Sequence, residues 1–159
     1  MNINNNINFK KKFYFKLDRK NGMISLIHIK TKEIIGYIQY GISQNNVFVK
    51  KYDTRSLTIN NNRLEEQETI NINWLSINNI NYLHQGFATQ LIKFCIYINK
   101  IKYPTIKFIT LDNMSDYSGK FNDIYTKIGF IYRDQVSGIN NINKMRININ
   151  GPEMQLYIS

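Results

Sequence analysis

Two short segments of this 159-residue chain combine residue types that chemistry needs. The first is Leu83-His84-Gln85-Gly86-Phe87-Ala88-Thr89, set between an alternating apolar stretch and a run with helical periodicity. Gly86 has no Cβ, so the backbone there can turn sharply and lie close to a ligand. The helix expected behind it begins with unpaired N–H groups and the positive end of its dipole. Together these suit a pyrophosphate, with His84, Gln85 and Thr89 as nearby polar side chains. A plain strand-to-helix connection has the same outline. The second segment is Tyr125-Thr126-Lys127-Ile128-Gly129-Phe130, a helix end with a glycine stop and an aromatic opening the next strand. A phenol, with a reference pKa of about 10, can exchange a proton with a thiol. In the plainer reading Tyr125 is a core aromatic and Lys127 a solvated lysine.

Other titratable groups are less telling. Glu68 precedes an alternating strand, and as a carboxylate it could act as a general base. Its neighbours Glu65 and Glu66 equally suit a solvated loop. Histidine as a residue type titrates near neutrality, but the place of His84 in the glycine turn favours ligand contact over deprotonation. His28 reads as a half-buried strand residue, and Trp74, the only tryptophan, reads as core. The single cysteine, Cys95, falls on the apolar stripe of its helix, which argues against a nucleophile. One cysteine also excludes an intrachain disulfide and a cysteine-based zinc site, and no metal is called for.

Periodicity places these residues on elements. Residues 1–10 are an Asn/Ile low-complexity segment, and 11–159 read as one domain. Lys12 to Arg19 alternates, with Phe13, Phe15 and Leu17 on one face. Asn21-Gly22, both tolerant of positive φ, predicts a tight hairpin into Met23 to Thr31. A third strand is expected over Glu33 to Ser43, with Gly36 marking a bulge or a close backbone approach. Val47 to Tyr52 and Ser56 to Ile59 predict a further hairpin, and Asn60 to Glu68 a loop. In Thr69 to Ile77 the apolar parity set by Ile70, Ile72 and Trp74 slips at Leu75. That slip predicts either a bulge near Asn73-Trp74 or a strand buried on both faces. Gly86 to Lys100 is an amphipathic helix, Thr105 to Leu111 a central strand, and Ser118 to Ile128 a second helix with Ser118 as N-cap. Strands over Phe130 to Arg133 and Met154 to Ile158 complete an α+β, or α/β sandwich, class with one right-handed crossover.

Composition sets outer limits. Hydrophobic residues make up 43%, enough for one core. No run reaches the roughly 18 apolar residues of a membrane span, and the polar start lacks a signal-peptide core, so no membrane partner and a soluble, cytoplasmic location are expected. The net charge of +10 raises the question of nucleic acid. Apart from Lys10-Lys11-Lys12 and Lys50-Lys51, however, the basic residues are scattered. Abundant Lys, Asn and Ile together suit an AT-rich genome. Nucleic acid is therefore the less favoured partner, and a polyanionic cofactor is the simpler beneficiary.

The order of elements, the Gly86-Phe87-Ala88 turn and Tyr125-x-x-x-Gly129-Phe130 together resemble the GNAT superfamily of acyl-CoA-dependent N-acetyltransferases, over roughly Ile34 to Arg133. The resemblance implies a mostly antiparallel twisted sheet with a central splayed parallel pair, Thr69–Ile77 and Thr105–Leu111, and acetyl-CoA as co-substrate. It implies cofactor contacts from Ile77, His84, Gln85, Gly86, Phe87, Ala88, Thr89, Ser118 and Lys127, with Asp112, Asn113 and Ser115 near pantetheine or acceptor. Tyr125 would protonate the leaving sulfur, and Glu68 would be the base. Acceptors would be small-molecule or protein amines, with a homodimer possible in such a family. Two departures stand out. Leu83 replaces the family's Gln or Arg, and Asn21-Gly22 stands where two helices usually join the first strands. The alternative on the same fold is a non-catalytic acyl-CoA-binding or scaffold protein.

Overall fold

The computed structural model describes residues 10–50, 62–83, 85–113, 124–133, 147–148 and 151–158. In chain order these form β1 (Phe13–Asp18), β2 (Met23–His28), β3 (Ile34–Lys50) and β4 (Asn62–Ile77), then a 3-10 turn, Ile80–Tyr82, and α1 (Phe87–Lys102). There follow β5 (Phe108–Asp112), α2 (Ile124–Ile128), β6 (Ile131–Tyr132), β7 (Ile147–Asn148) and β8 (Gly151–Tyr157). Hydrogen-bonded strand order is β1-β2-β3-β4-β5-β8-β6, with β7 on β8. The sheet is mostly antiparallel with one parallel pair, as the α+β reading requires. The chain divides into two compact units, Met1–Gly41 with Ile72–Lys102, and Ile42–Asn71 with Tyr103–Ser159. The long strands β3 and β4 lend one part to each.

In the first unit, β1, β2 and the start of β3 form an antiparallel meander. Among the described residues no helix separates β1 from β2; the chain reverses through Arg19–Gly22. The turn is longer than the two-residue form expected from Asn-Gly. Gly22 alone has positive φ (60), while Asn21 is fixed by the Asp18 carboxylate, which accepts from its backbone N–H at 3.2 Å and its amide at 2.8 Å. A four-residue loop built on such a turn spares Asn21 the left-handed angle. One face of the meander meets α1: Phe15 stacks on Phe94 with centroids 4.2 Å apart, and Phe13 meets Phe87 edge-on at 4.9 Å. The helix buries Leu91, Ile92, Cys95 and Ile98 as its spacing predicts. Fully burying such a leucine or isoleucine side chain is worth about 1.5–3 kcal/mol. Asn99, also buried, satisfies its amide on the Cys95 carbonyl at 2.8 Å.

Gly36 meets both expectations. Pairing jumps from Leu26↔Gly36 to Ile27↔Ile34, leaving Ile35 as the extra residue of a bulge. A Cβ on Gly36 would lie 2.5 Å from the Ser76 carbonyl oxygen and 3.2 Å from the Ile77 Cα, so glycine lets β3 and β4 approach.

In the second unit, β8 lies between β5 and β6, with Leu111↔Met154 and Tyr132↔Met154 in register. Ile109, Leu111, Phe130, Tyr132 and Met154 are buried there. The end of β3 is held from an unusual side: the Gln155 amide accepts from Phe48 N–H and donates to its C=O, both at 2.9 Å.

Three sequence expectations need correction. Residues 62–68 belong to β4 rather than to a loop, because an extended polar ribbon alternates as well as an apolar strand when both faces are wet. Val47–Lys50 continues β3 without a break; the rest of the expected second hairpin, 51–59, lies outside the described residues. Trp74 is not core but 44% exposed, and Asn73 beside it is exposed too, which interrupts the alternation at the place the parity slip marked.

Candidate active site

The glycine turn belongs to the first unit. Leu83 follows the 3-10 turn, whose Asn79 cap accepts from Asn81 N–H at 2.9 Å. Leu83 itself is 40% exposed, an apolar side chain at the position where the resemblance expects Gln or Arg. Gln85 donates its side-chain amide to the Asn81 carbonyl, which stiffens the approach. Gly86 then adopts φ 82, the left-handed region that favours glycine, and its carbonyl accepts the Gln90 N–H at 3.1 Å. Phe87 and Ala88 point into the core, so they offer backbone rather than side chains; Thr89 is half-buried. The first turn of α1 holds no acidic residue, which leaves its positive end uncompensated. His84 lies outside the described residues.

A Cβ at Gly86 would meet nothing within 4 Å, so the glycine is not there to relieve packing inside the unit. The backbone angle alone therefore accounts for glycine at this position. Ile77, half-buried at the end of β4, is fixed against Gly36 by the close approach described above, and Asn78 N–H donates to the Ile35 carbonyl at 2.8 Å.

The tyrosine segment belongs to the second unit. Gly129, at φ 118, closes α2: its N–H donates to the Tyr125 and Thr126 carbonyls at 3.2 and 3.1 Å, and Phe130 N–H to Tyr125 at 3.0 Å. This is the glycine stop read from the sequence. The Tyr125 ring stands edge-on to Phe130 at 5.9 Å and is half-buried, so its tilt is fixed while part of the ring stays open. Lys127 is exposed in the last helical turn. Ser118 and Ser115 lie outside the described residues.

Glu68 shares the second unit with Tyr125. Its side chain is exposed, on the opposite strand face from Thr69, which is fully buried. Behind Glu68 runs a polar chain that sequence reasoning missed. Asn45 donates to Thr69 Oγ1 at 2.8 Å, the Thr69 and Thr110 hydroxyls are 3.1 Å apart, and Thr110 donates to Asn71 Oδ1 at 2.9 Å. Only Thr110, a lone hydroxyl in Phe-Ile-Thr-Leu-Asp, hinted at it. Asn113 is fully buried and donates to Tyr132 Oη at 3.3 Å, so it serves the core; Asp112 is half-buried. Arg133 pairs with Glu153 at 2.8 Å. Burial pushes the Cys95 thiol up to about 12, partly offset by the Asn99 amide.

No protein-family model and no curated protein sequence matches the chain. Solved structures do. One described as a bacterial toxin aligns over 86% of this chain and 66% of its own, at 20% identity and TM-score 0.56. AtaT complexed with acetyl-methionyl-tRNAfMet aligns over 85% and 69%, at 12% identity and TM-score 0.57. A tyrosine-to-phenylalanine variant of AtaT, bound to the C-terminus of the antitoxin AtaR and acetyl-CoA, aligns over 85% and 66%, at 11% identity and TM-score 0.52. The chain has the GNAT fold. It spans about two thirds of the length of these GNAT-fold toxins. Among its described residues no helix is long and apolar enough to cross a membrane.

Proposed function

We propose that this chain is an acetyl-CoA-dependent N-acetyltransferase acting on a primary amine by direct transfer, with Tyr125 as general acid and Glu68 as base. The observation that carries the reading is Gly86: a left-handed glycine with open space at its Cβ, heading a helix with no acid in its first turn. The likeness to AtaT, solved with acetyl-CoA, supports acetyl-CoA as the ligand class.

In this reading the α1 N–H groups behind Gly86 hold the diphosphate, with His84, Gln85 and Thr89 beside them and Ser118 and Lys127 as further contacts. Ile77 packs along the pantetheine arm. Bound acetyl-CoA supplies a thioester carbonyl open to aminolysis. Glu68 takes the proton that an ammonium must lose before it attacks. Tyr125 holds a proton on Oη for the departing sulfur, its ring angle set by Phe130 and its backbone by Gly129. Cys95 stands outside the chemistry, since a buried thiol held protonated is no nucleophile. Small-molecule and protein amines remain the acceptor classes, and the AtaT complexes with antitoxin and tRNA are in keeping with a macromolecular partner.

One observation favours the second reading, a non-catalytic acyl-CoA-binding protein: Leu83 offers phosphate no polar side chain. Calorimetry with acetyl-CoA, followed by thiol release against a panel of amines, separates the two. Binding with acceptor-dependent release supports the enzyme; binding without release for any amine supports the scaffold; no binding rejects both.

A further inference from the structure

Leu83 is apolar, but the residue before it is not. The 3-10 turn closes on Tyr82, whose N–H donates to the Asn79 carbonyl at 2.9 Å, and Leu83 N–H donates to the Ile80 carbonyl at 3.3 Å. Leu83 then turns extended, at φ −66 and ψ 147. The turn thus leaves the Leu83 side chain 40% exposed while Tyr82 beside it is half-buried.

The Tyr82 ring is held on two sides. It stands edge-on to Phe87, the first residue of α1, with centroids 5.6 Å apart, and to Phe13 of β1 at 6.4 Å. Phe13 in turn meets Phe87 at 4.9 Å, so the three rings close a triangle, and His28 backs Phe13 at 5.3 Å. All four residues belong to the first unit. Residues 82 and 87 flank the glycine turn, and their contact fixes the span of the loop that carries Gly86.

The phenol is the uncommitted part of this cluster. A packed tyrosine usually gives its hydroxyl a partner. The Tyr82 hydroxyl meets none among the described residues, and it is not sealed from solvent. Polar side chains around it are already engaged. Asn78 donates its amide to the Ile34 carbonyl at 3.4 Å, Asn79 donates to Glu33 at 3.1 Å, and Gln85 donates to the Asn81 carbonyl. A helix start presents N–H groups and a positive dipole end to an anion. A hydroxyl beside it adds a short, directional bond to a charged oxygen.

We propose that Tyr82 is a cofactor-binding residue, its hydroxyl donating to the diphosphate held at the Gly86 turn in place of the polar side chain that Leu83 lacks. The proposal rests on the acetyl-CoA reading of that turn. Phe13 and Phe87 keep the ring in place and touch no phosphate themselves.

Calorimetry of the full chain with acetyl-CoA separates the hydroxyl from the ring. Tyr82→Phe keeps the three-ring contact and should weaken binding about ten- to hundred-fold, the loss of one hydrogen bond to a charged group, with Tm unchanged. Tyr82→Leu removes hydroxyl and ring together, so it should bind at least as weakly and also melt earlier. Tyr97→Phe removes a phenol that is 63% exposed on α1 and should alter neither quantity. Wild type that fails to bind acetyl-CoA, or Gly86→Ala that binds as wild type does, removes the phosphate turn and the role of Tyr82 with it. Wild type that binds, with Gly86→Ala impaired but Tyr82→Phe within about two-fold, leaves the turn standing and overturns this proposal alone. A Tyr82→Phe loss matched by a fall in Tm, or by an equal loss in Tyr97→Phe, overturns it too, because the hydroxyl then acts on the fold and not on the ligand.

Discussion

Replacing Gly86 with alanine separates the cost of a backbone angle from the loss of a ligand contact. The residue sits at φ 82, and its missing Cβ would meet nothing within 4 Å. Steric overlap therefore adds nothing to the folding cost, and only the left-handed penalty of about 1–2 kcal/mol remains. For a chain of this length that lowers Tm by about 2–8 °C. Binding should suffer more. A methyl group in the open space beside the α1 N–H groups holds a phosphate away, and one lost charge-assisted hydrogen bond costs about 1.5–3 kcal/mol. Acetyl-CoA affinity, read by calorimetry, should fall roughly ten- to hundred-fold. Gly86→Asn supplies the control, because asparagine tolerates the left-handed region. It should recover much of the Tm and none of the affinity. If both variants bind acetyl-CoA within about two-fold of the parent, the phosphate-turn reading is wrong, whatever happens to Tm.

Further outcomes follow from the second unit and the buried thiol. Tyr125→Phe keeps the edge-on contact with Phe130 and should lower kcat while leaving acetyl-CoA affinity intact; unchanged turnover across the pH range would remove Tyr125 from the mechanism. Thr110→Val breaks the chain from Asn45 to Asn71 and should cost about 1–3 kcal/mol in urea unfolding, because buried partners are left unmatched. Cys95 should resist iodoacetamide in the folded state, and burial, which pushes its pKa from the ordinary 9.0 up to about 12, fixes a sign. With the exposed thiol of the unfolded chain titrating at about 9.0, the protonated buried thiol stabilises the native state fully below that pH, and the contribution declines as pH rises towards 12. Stability constant across that window in wild type, set against a Cys95→Ala control, would contradict it.

How much was legible in the sequence depended on whether a feature is local. The α1 stripe, the Gly129 stop and the Gly36 bulge follow from spacing and from backbone freedom, which neighbouring residues largely decide, and all three appear in the fold. The ribbon over 62–68 was misread because Arg63 to Glu68 carry no apolar alternation; their strand is dictated by a partner, not by their own side chains. Trp74 was misplaced for a related reason: a large apolar side chain at a parity slip can fall on either face, and sequence does not choose. That Lys12 and Lys30 are neighbours was not legible, because they are eighteen positions apart in sequence and one backbone hydrogen bond from Ile29 brings them together. The polar chain through Thr69 and Thr110 was not legible, because it depends on pairings between distant strands.

The grip of Gln155 on Phe48 bears on the order in which the molecule can be made. Every piece of the first unit has left the ribosome once Lys102 emerges, so β1, β2 and α1 can settle early. The second unit has no such freedom. Its strand β8 is synthesised after β5 and β6 yet must slot between them, and only then can an amide 107 residues downstream latch the peptide at Phe48. Until that moment the Phe48 N–H and C=O lack the Gln155 amide. The nascent chain thus passes through a stage with one half set and the other unlatched, in which it is most open to proteases and to chaperones.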